Sequence, residues 1–487
     1  MKIGNNPQDA KYASIIKPVR NKMRKFDYLS LFDAILRYLN APLDSKKFEN
    51  LQRLPWVAEK LALWLLGDAT NIHSYGKLVA TESDVIKLIN QAWNSVDSNL
   101  DVTKTIDQLS LFMRQLMLAQ APYQDGLGLH AYAIQLHLLK KLKLNSNLRK
   151  FLDNKAGMPI DEYFEIAFLF WTKTATDTPW VNQNYLDSLA EFFSRDKQTL
   201  FLKSLTATLG DLQFLCSNRT ITADEWSQPT YFYSTPCIWR QGVSVPFGRE
   251  TYRRYFESLI GDWIAESGDS KLRQDYDRLI EDYVADSLNR GFVGHFREDH
   301  IRKLVAAGNK IVDFMIEDKE SIVLLEVKNK GLSRVIPAGQ DPLTLRARLS
   351  GTIVKAQTQL AAIEQALRLN SSLAEKSFSK IIVTNNDLWI KNAELLTDDG
   401  SQISRTWIIS LRELDMLIGA VTKTGKSIAY FLSQYESNQE NLGSGTHSIG
   451  AFLEKIGQKS EKIPKHLSNE LELTIKKLET CYQAKNI

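Results

Sequence analysis

Between Gly308 and Lys330 the chain reads GNKIVDFMIEDKESIVLLEVKNK, two short apolar runs that are each interrupted by charge. Ile311, Val312, Phe314, Met315 and Ile316 surround Asp313, and Ile322, Val323, Leu324, Leu325 and Val327 surround Glu326, with Lys328 at the end. Apolar runs of this length, bounded by turn-forming residues, predict two buried strands of a β-hairpin. A buried carboxylate is costly unless it is paired or coordinates a metal. The alternative, an exposed hairpin with a surface Glu326–Lys328 salt bridge, leaves the interruption of apolar runs by charge unexplained.

Strand geometry says how these charges relate. Residues two apart share a face, so Glu326 and Lys328 point the same way. If Lys319 and Glu320 form a two-residue loop, Asp318 pairs with Ser321 and Asp313 falls opposite Glu326. Opposed residues lie roughly 4.5–5.5 Å apart at Cβ. Two carboxylates at that range repel unless a cation or a shared proton intervenes. Mg²⁺, a hard cation held by one or two carboxylates plus substrate phosphates, is the natural occupant.

Asp313, twelve intervening residues and then Glu326-Val327-Lys328 resemble the signature of the PD-(D/E)XK nuclease superfamily, the restriction-endonuclease-like fold. The resemblance covers roughly 250–420, and Val312 stands where the family often has proline. It implies an α/β nuclease domain, a mixed sheet flanked by helices. It also implies that Asp313, Glu326 and the Val327 carbonyl hold Mg²⁺, with Mn²⁺ able to substitute. Lys328 orients water or stabilises the transition state; a lysine ammonium is protonated at neutral pH, so the electrostatic role is the expected one. The superfamily often places a glutamate on the helix before the sheet. Ile280-Glu281-Asp282-Tyr283-Val284 matches that pattern, as does Phe256-Glu257-Ser258-Leu259-Ile260, and Glu281 is preferred because it lies nearer the hairpin. Gln359 resembles the glutamine that many members carry on the helix after the second strand.

The surrounding chain is consistent with such a domain over 249–440. KLRQDYDRLIEDYVADSLNR reads as an amphipathic helix, FVGHFRE (292–298) as a first strand, TIVKAQTQLAAIEQALRL as a helix, and KIIVTNN (380–386) and TWIIS (406–410) as strands. Ser410 and Glu413 form a capping-box pattern for the last helix. Between Lys328 and that middle helix the chain is basic: Lys330, Arg334, Arg346, Arg348 and Lys355 occur against a single acid, Asp341. Beside metal-binding carboxylates, these five suit a nucleic-acid backbone. NLGSG (441–445) reads as a linker, and 450–487 as a helical tail.

The first half has a different texture. From residue 25 to about 215, segments such as YLSLFDAILRYL, WVAEKLALWLL, IDQLSLFMRQLML and YFEIAFLFW space apolar residues by three and four. This predicts an all-α domain over 1–219, with its tryptophans in the core, serving recognition or regulation. His130 and His137 are seven apart with no further ligand nearby in sequence, so packing is expected of them. Residues 220–248 carry Pro229, Pro236 and Pro246 and read as a connector with short strands, TYFYS and CIWRQGVSV. Tyr231, Tyr233, Trp239, Arg240 and Arg249 either meet nucleic acid or pin the connector to its neighbours.

At 487 residues the chain is long enough for two or three domains without disulfide staples. Its formal charge of +4 is too small to diagnose a polyanion partner by itself. Three scattered cysteines form neither zinc spacing nor a disulfide framework. With no signal-peptide core and no membrane-length apolar run, a cytoplasmic location without a membrane partner is expected. The expected activity is metal-dependent hydrolysis of nucleic acid, DNA more than RNA, by a restriction-like endonuclease in bacterial defence against phage or plasmids. The alternatives are a nuclease fold that binds DNA without cutting it and a helical adaptor in a larger complex. A homo-oligomer, or a protein partner of the helical half, stays open.

Overall fold

The computed structural model describes all residues except 1, 6, 42–53, 98–113, 115–117, 119–122, 124–128, 175, 177, 227, 229, 307–309, 330–341, 397–404, 441–447, 459–462 and 486–487. At its centre is a five-stranded mixed sheet built entirely from the second half: β1 (Phe296–Arg297), β2 (Phe314–Glu317), β3 (Ser321–Lys328), β4 (Ser377–Thr384) and β5 (Thr406–Ser410), in the spatial order β5-β4-β3-β2-β1. β1, β2 and β3 are antiparallel neighbours; β3, β4 and β5 run parallel. The antiparallel pair needs only a tight turn, and Asp318 N–H closes it on the Ser321 carbonyl at 2.8 Å. The parallel pairs need crossovers, and the first runs through Pro342–Leu349, a π-helical turn at Ser350–Val354 and the helix Lys355–Arg368.

Side-chain alternation sorts the sheet into two faces. Phe314, Ile316, Val323, Leu325, Ile381, Val383, Trp407 and Ile409 belong to one buried cluster; Met315, Ile322, Leu324, Ile382 and Ile408 belong to another. Six helices frame the argument: α1 (Leu129–Lys141), α2 (Arg249–Ser267), α3 (Ser270–Arg290), α4 (Lys355–Arg368), α5 (Leu411–Thr424) and α6 (Lys465–Lys485). α4 covers the second face through Leu360, Ile363 and Leu367, and α2, α3 and α5 cover the first. Local chemistry fixes the ends. Gly268 at φ 68° ends α2, and the Asp269 carboxylate then caps α3 by accepting from Lys271 N and Leu272 N. Ser410 and Glu413 form the expected reciprocal capping box of α5.

Among the described residues, the first half up to residue 219 is helical apart from turns and the two-residue strands Lys2–Ile3 and Thr206–Ala207, which pair with Thr220–Ile221 and with the start of Cys237–Arg240. Its buried side chains divide along a line different from the expected 1–219, 220–248 and 249–440. Pro7–Met23, Tyr28–Asn40, Pro55–Gly67 and Glu82–Asp97 share a core with residues 212–247. α1, Ile160–Thr174 and Arg195–Leu205 instead share one continuous core with α2, α3 and the sheet; Phe201, for instance, stacks on Phe256 with the rings 7° from parallel. The apolar stripes of these middle helices are too wide to satisfy one another, so they recruit the second half.

The connector hairpin forms as Cys237–Arg240 and Val243–Pro246. TYFYS is not a strand: Tyr231–Tyr233 is a 3-10 turn, because Phe232 is drawn into a stack with Phe247 at 4.0 Å. The first strand of the sheet is only Phe296–Arg297, since Glu298 begins a short helix. The linker signal at 441–445 and most of IDQLSLFMRQLML lie outside the described residues. The tail is helical at Ile449–Lys455 and in α6. Among the described residues, no helix is long and apolar enough to cross a membrane.

Candidate active site

The ladder between β2 and β3 pairs Phe314 with Leu325, and one step further puts Asp313 across from Glu326. The expected register therefore holds, and Met315, Leu324 and Glu326 share the α4 side of the sheet by alternation. Asp313 sits just before β2, where its Oδ2 accepts from Val327 N at 2.7 Å. That bond latches the carboxylate across the end of the hairpin. Glu326 is 2% exposed, although it lies within a strand whose neighbours are all apolar. Its Oε1 accepts from Lys328 Nζ at 2.5 Å and its Oε2 from Gln359 Nε2 at 3.2 Å. Gln359 also donates to the Ile311 carbonyl and so ties α4 to the chain entering β2.

α3 approaches from the other side and brings Glu281 into the field of Asp313. Glu257, the competing match, is consumed by Arg253 and Arg254, at 2.8 and 2.6 Å. Asp277, one turn before Glu281 on α3, was not singled out from the sequence. It shares a hydrogen bond with the Asn329 side chain, yet its Oδ1 is buried with no hydrogen-bond partner. The signal was present as Asp277 and Glu281 at i and i+4, which places them on one helix face, and as Asn329 following Lys328.

The electrostatics follow from this crowding. Burial, and then the charge of Asp313, pushes the Glu326 carboxyl up to about 7. Glu281 is likewise pushed up to about 7, by burial first and then by Asp313 and Asp277. Burial raises Asp313 as well, against the Val327 hydrogen bond and Lys328, which lower it. Asp277 is raised mainly by burial. Asp313, Glu326, Glu281 and Asp277 all feel Lys328, while Glu298 adds negative charge at Asp313 and Arg273 positive charge at Asp277; the raised values favour the protonated forms. Among the described residues, no three carboxylate, imidazole or thiolate groups are gathered as a ready-made metal cage. Asp313 and Glu326 supply two hard oxygen donors, which with a carbonyl, water and a substrate phosphate is within the ordinary range for Mg²⁺.

The other candidate residues fall into four groups. Lys330 and Arg334 lie outside the described residues. Arg346 is half-buried and Arg348 exposed on Pro342–Leu349, and exposed Lys355 is one turn before Gln359 on α4. Of the connector residues, Arg240 binds Asp33 at 3.1 Å and Arg249 donates to the Thr176 carbonyl at 2.7 Å, whereas Trp239 is exposed. The histidines pack. His130 Nε2 meets Asp415 at 3.0 Å, in a buried knot with Tyr283 and Ser287 that fastens α1 to α3 and α5. His137 sits edge-on to Tyr283, and His300 stacks on Phe296.

Compared with known proteins, the chain matches no family model, no curated protein sequence and no solved structure.

Proposed function

We propose that this protein hydrolyses phosphodiester bonds of nucleic acid, DNA foremost, at the Asp313–Glu326–Lys328 centre in a reaction that depends on a divalent cation. One observation carries the reading: buried Glu326 and half-buried Asp313 stand opposite each other at the end of the hairpin by its register, and Lys328 and Gln359 both bond Glu326 there. The resemblance to PD-(D/E)XK nucleases rests on the same residues.

The donor set fits Mg²⁺ or Mn²⁺, since Asp313 and Glu326 bring two hard carboxylate oxygen donors to one end of the hairpin. Asp313, Glu326 and the Val327 carbonyl would hold it. When bound, the ion supplies Lewis-acid polarisation of a phosphodiester and activation of water. The chain's own residues do the rest. Lys328, braced on Glu326, presents an ammonium to the charge that builds on the phosphoryl oxygens. Gln359 braces the other oxygen of Glu326 and fixes the donor geometry. Glu281, pushed up to about 7, is poised to take a proton from the attacking water at neutral pH. Arg346, Arg348 and Lys355, together with Lys330 and Arg334, supply the basic approach for the phosphate backbone. The helical first half fits a recognition or regulatory role, and the setting we infer is bacterial defence against phage or plasmid DNA.

Supercoiled plasmid, linear duplex, single-stranded DNA and RNA incubated with the protein in Mg²⁺ and in EDTA test the proposal. Cleavage in Mg²⁺ alone, lost in Asp313→Ala and Glu326→Ala, is the expected result. Binding in a gel shift with Ca²⁺ but no cleavage in Mg²⁺ or Mn²⁺ would instead make the protein a nuclease-like fold that holds DNA without cutting it.

A further inference from the structure

A second chemical environment lies at the same end of the sheet, beside the strand that neighbours the hairpin. Thr384, the last residue of β4, pairs with Lys328, the last residue of β3. Beyond Thr384 the chain turns and encloses a cavity of about 260 Å³ between the ends of β4 and β5, the start of α5 and the helix Ile449–Lys455. Ligands of open α/β sheets bind at the carboxyl ends of parallel strands, and β4 and β5 are parallel here.

The walls are fixed before any ligand arrives. Glu413 bridges two of them: its Oε2 accepts from Ser410 N at 3.1 Å and its Oε1 from Gly450 N at 3.3 Å. The loop after β4 is tied down at Leu388, whose carbonyl accepts from Arg114 at 3.2 Å, and at Lys391, whose carbonyl accepts from Ile408 N at 3.0 Å. Between those ties Trp389 adopts φ 55°. A bulky side chain in that left-handed region is strained, and such strain persists where surrounding structure holds it and clusters at ligand clamps. Trp389 is among the residues that line the cavity.

The lining identifies the class of occupant. Among the described lining residues, Glu413 is spent on Ser410 N and Gly450 N and burial pushes its carboxyl up to about 7, which leaves Asp387 and Glu454 against Lys391 and Arg412. Such near-balance favours neither a phosphate cluster nor a divalent cation. Leu388, Ile390, Ile408 and Met416 give an apolar wall opposite that mixed polar rim. The complement is a flat, neutral heterocycle with donors and acceptors along one edge. At this volume, just below the roughly 300–1,000 Å³ of drug-sized pockets, it is a single one.

We infer that this cavity binds one nucleobase, stacked against Trp389 and read along its edge by Asp387 and Arg412. Aromatic side chains stack bases of any sequence, and the charged rim adds selection among them. The base comes either from a free nucleoside or from an unpaired nucleotide of a strand whose backbone passes Lys328. Only the second source rests on the nuclease reading.

The test uses the full chain without divalent cations. Adenosine, guanosine, cytidine and thymidine are titrated by calorimetry. A single-stranded oligonucleotide and its abasic counterpart are titrated by fluorescence anisotropy. Asp387→Ala, which opens the rim, and Met416→Trp, which fills the cavity, are compared with wild type, each checked for an unchanged melting temperature. Saturable binding of at least one nucleoside, weakened tenfold or more by either folded variant, supports the site with a free source. Failure of all nucleosides, with oligonucleotide affinity weakened tenfold by the variant while the abasic strand is indifferent to it, supports the strand source. If neither nucleosides nor bases of the strand respond to a folded variant, the inference is overturned. Asp313→Ala keeps the two readings apart: it leaves nucleoside binding intact whether or not the hairpin cuts DNA.

Discussion

Two buried carboxylate–ammonium pairs lie on the same face of the same sheet, and they are built to different ends. Lys380, in the middle of β4 and 1% exposed, meets Glu364 of α4 at 2.9 Å, and Arg368 shares the same carboxylate, also at 2.9 Å. One strand away Lys328 meets Glu326, but Asp313 raises Glu326 as well, and Glu281 and Asp277 of α3 draw on the same Lys328. The first arrangement answers a buried charge with opposite charge, as a packed interior requires. The second leaves negative charge in excess at the open end of a strand. That imbalance is what the proposed cation and phosphate site requires.

The comparison breaks most sharply under mutation. Asp313→Ala and Glu326→Ala should abolish cleavage, by more than about 10³-fold on the scale of lost transition-state stabilisation, while the metal-free protein melts at the same temperature or higher, because repulsion is relieved. Glu364→Ala should do the reverse. It leaves Lys380 buried without its partner and should cost about 3–5 kcal/mol of stability, read by urea denaturation, with per-molecule cleavage retained in the folded fraction. Should Asp313→Ala cut DNA at the wild-type rate, the hairpin is not the centre. Should it unfold the protein, the hairpin carboxylates are structural like Glu364.

Lys328→Ala sharpens the contrast from the cationic side. Cleavage should fall by about 10²–10³-fold, the usual cost of one preorganised electrostatic donor. Metal affinity should hold or tighten, since an ammonium opposes a cation. A parallel loss of metal affinity and cleavage would make Lys328 part of the scaffold instead.

Titration gives the next effect. The folded Glu326 and Glu281 carboxyls stand at about 7, above an unfolded value near about 4.3. Between those values the folded state holds more protons than the unfolded one, so stability of the metal-free protein falls as pH rises through this window. Each unit of that difference corresponds to about 1.4 kcal/mol for a fully coupled group. Melting temperatures at pH 5 and pH 8 should therefore differ less in Glu326→Gln than in wild type. Mg²⁺ at a hundred times its Kd should restore about 2.7 kcal/mol at pH 8. An unchanged pH slope in Glu326→Gln would mean that other groups govern it.

The smallest effect is expected on the basic surface. Arg346→Ala should weaken DNA binding severalfold and reduce the slope of log affinity against log salt by about one, the loss of one phosphate contact. No change in the slope would place Arg346 away from the nucleic acid.

Much of the second half was legible because its signals are local. Alternation in 321–328 fixes which side chains share a face, the two-residue turn fixes the register that sets Asp313 against Glu326, and Ser410 with Glu413 fixes the start of α5. Asp277 was missed because one acid on an amphipathic helix looks like any solvated residue until the helix is docked. Glu281 was separable from Glu257 only weakly in sequence; the structure separates them by giving Glu257 two arginines. The packing of 129–205 against α2 and α3 was not legible either. Helical periodicity tells that a face is apolar and is silent about which other face covers it, and here the partners, such as Phe201 and Phe256, are far apart in the chain.

The central claim, that the hairpin charges form a cation site and not a second structural pair, is tested most directly by titrating Mg²⁺ and Mn²⁺ calorimetrically at pH 7 in two buffers of different ionisation enthalpy. Wild type, Glu326→Gln and a folded Glu364→Gln are compared, with a non-cleavable DNA duplex present. The account predicts saturable binding with net proton release in wild type and in Glu364→Gln, and loss of both the binding and the proton release in Glu326→Gln. Binding of equal affinity and equal proton release in Glu326→Gln, or no cation binding in wild type at all, would contradict it.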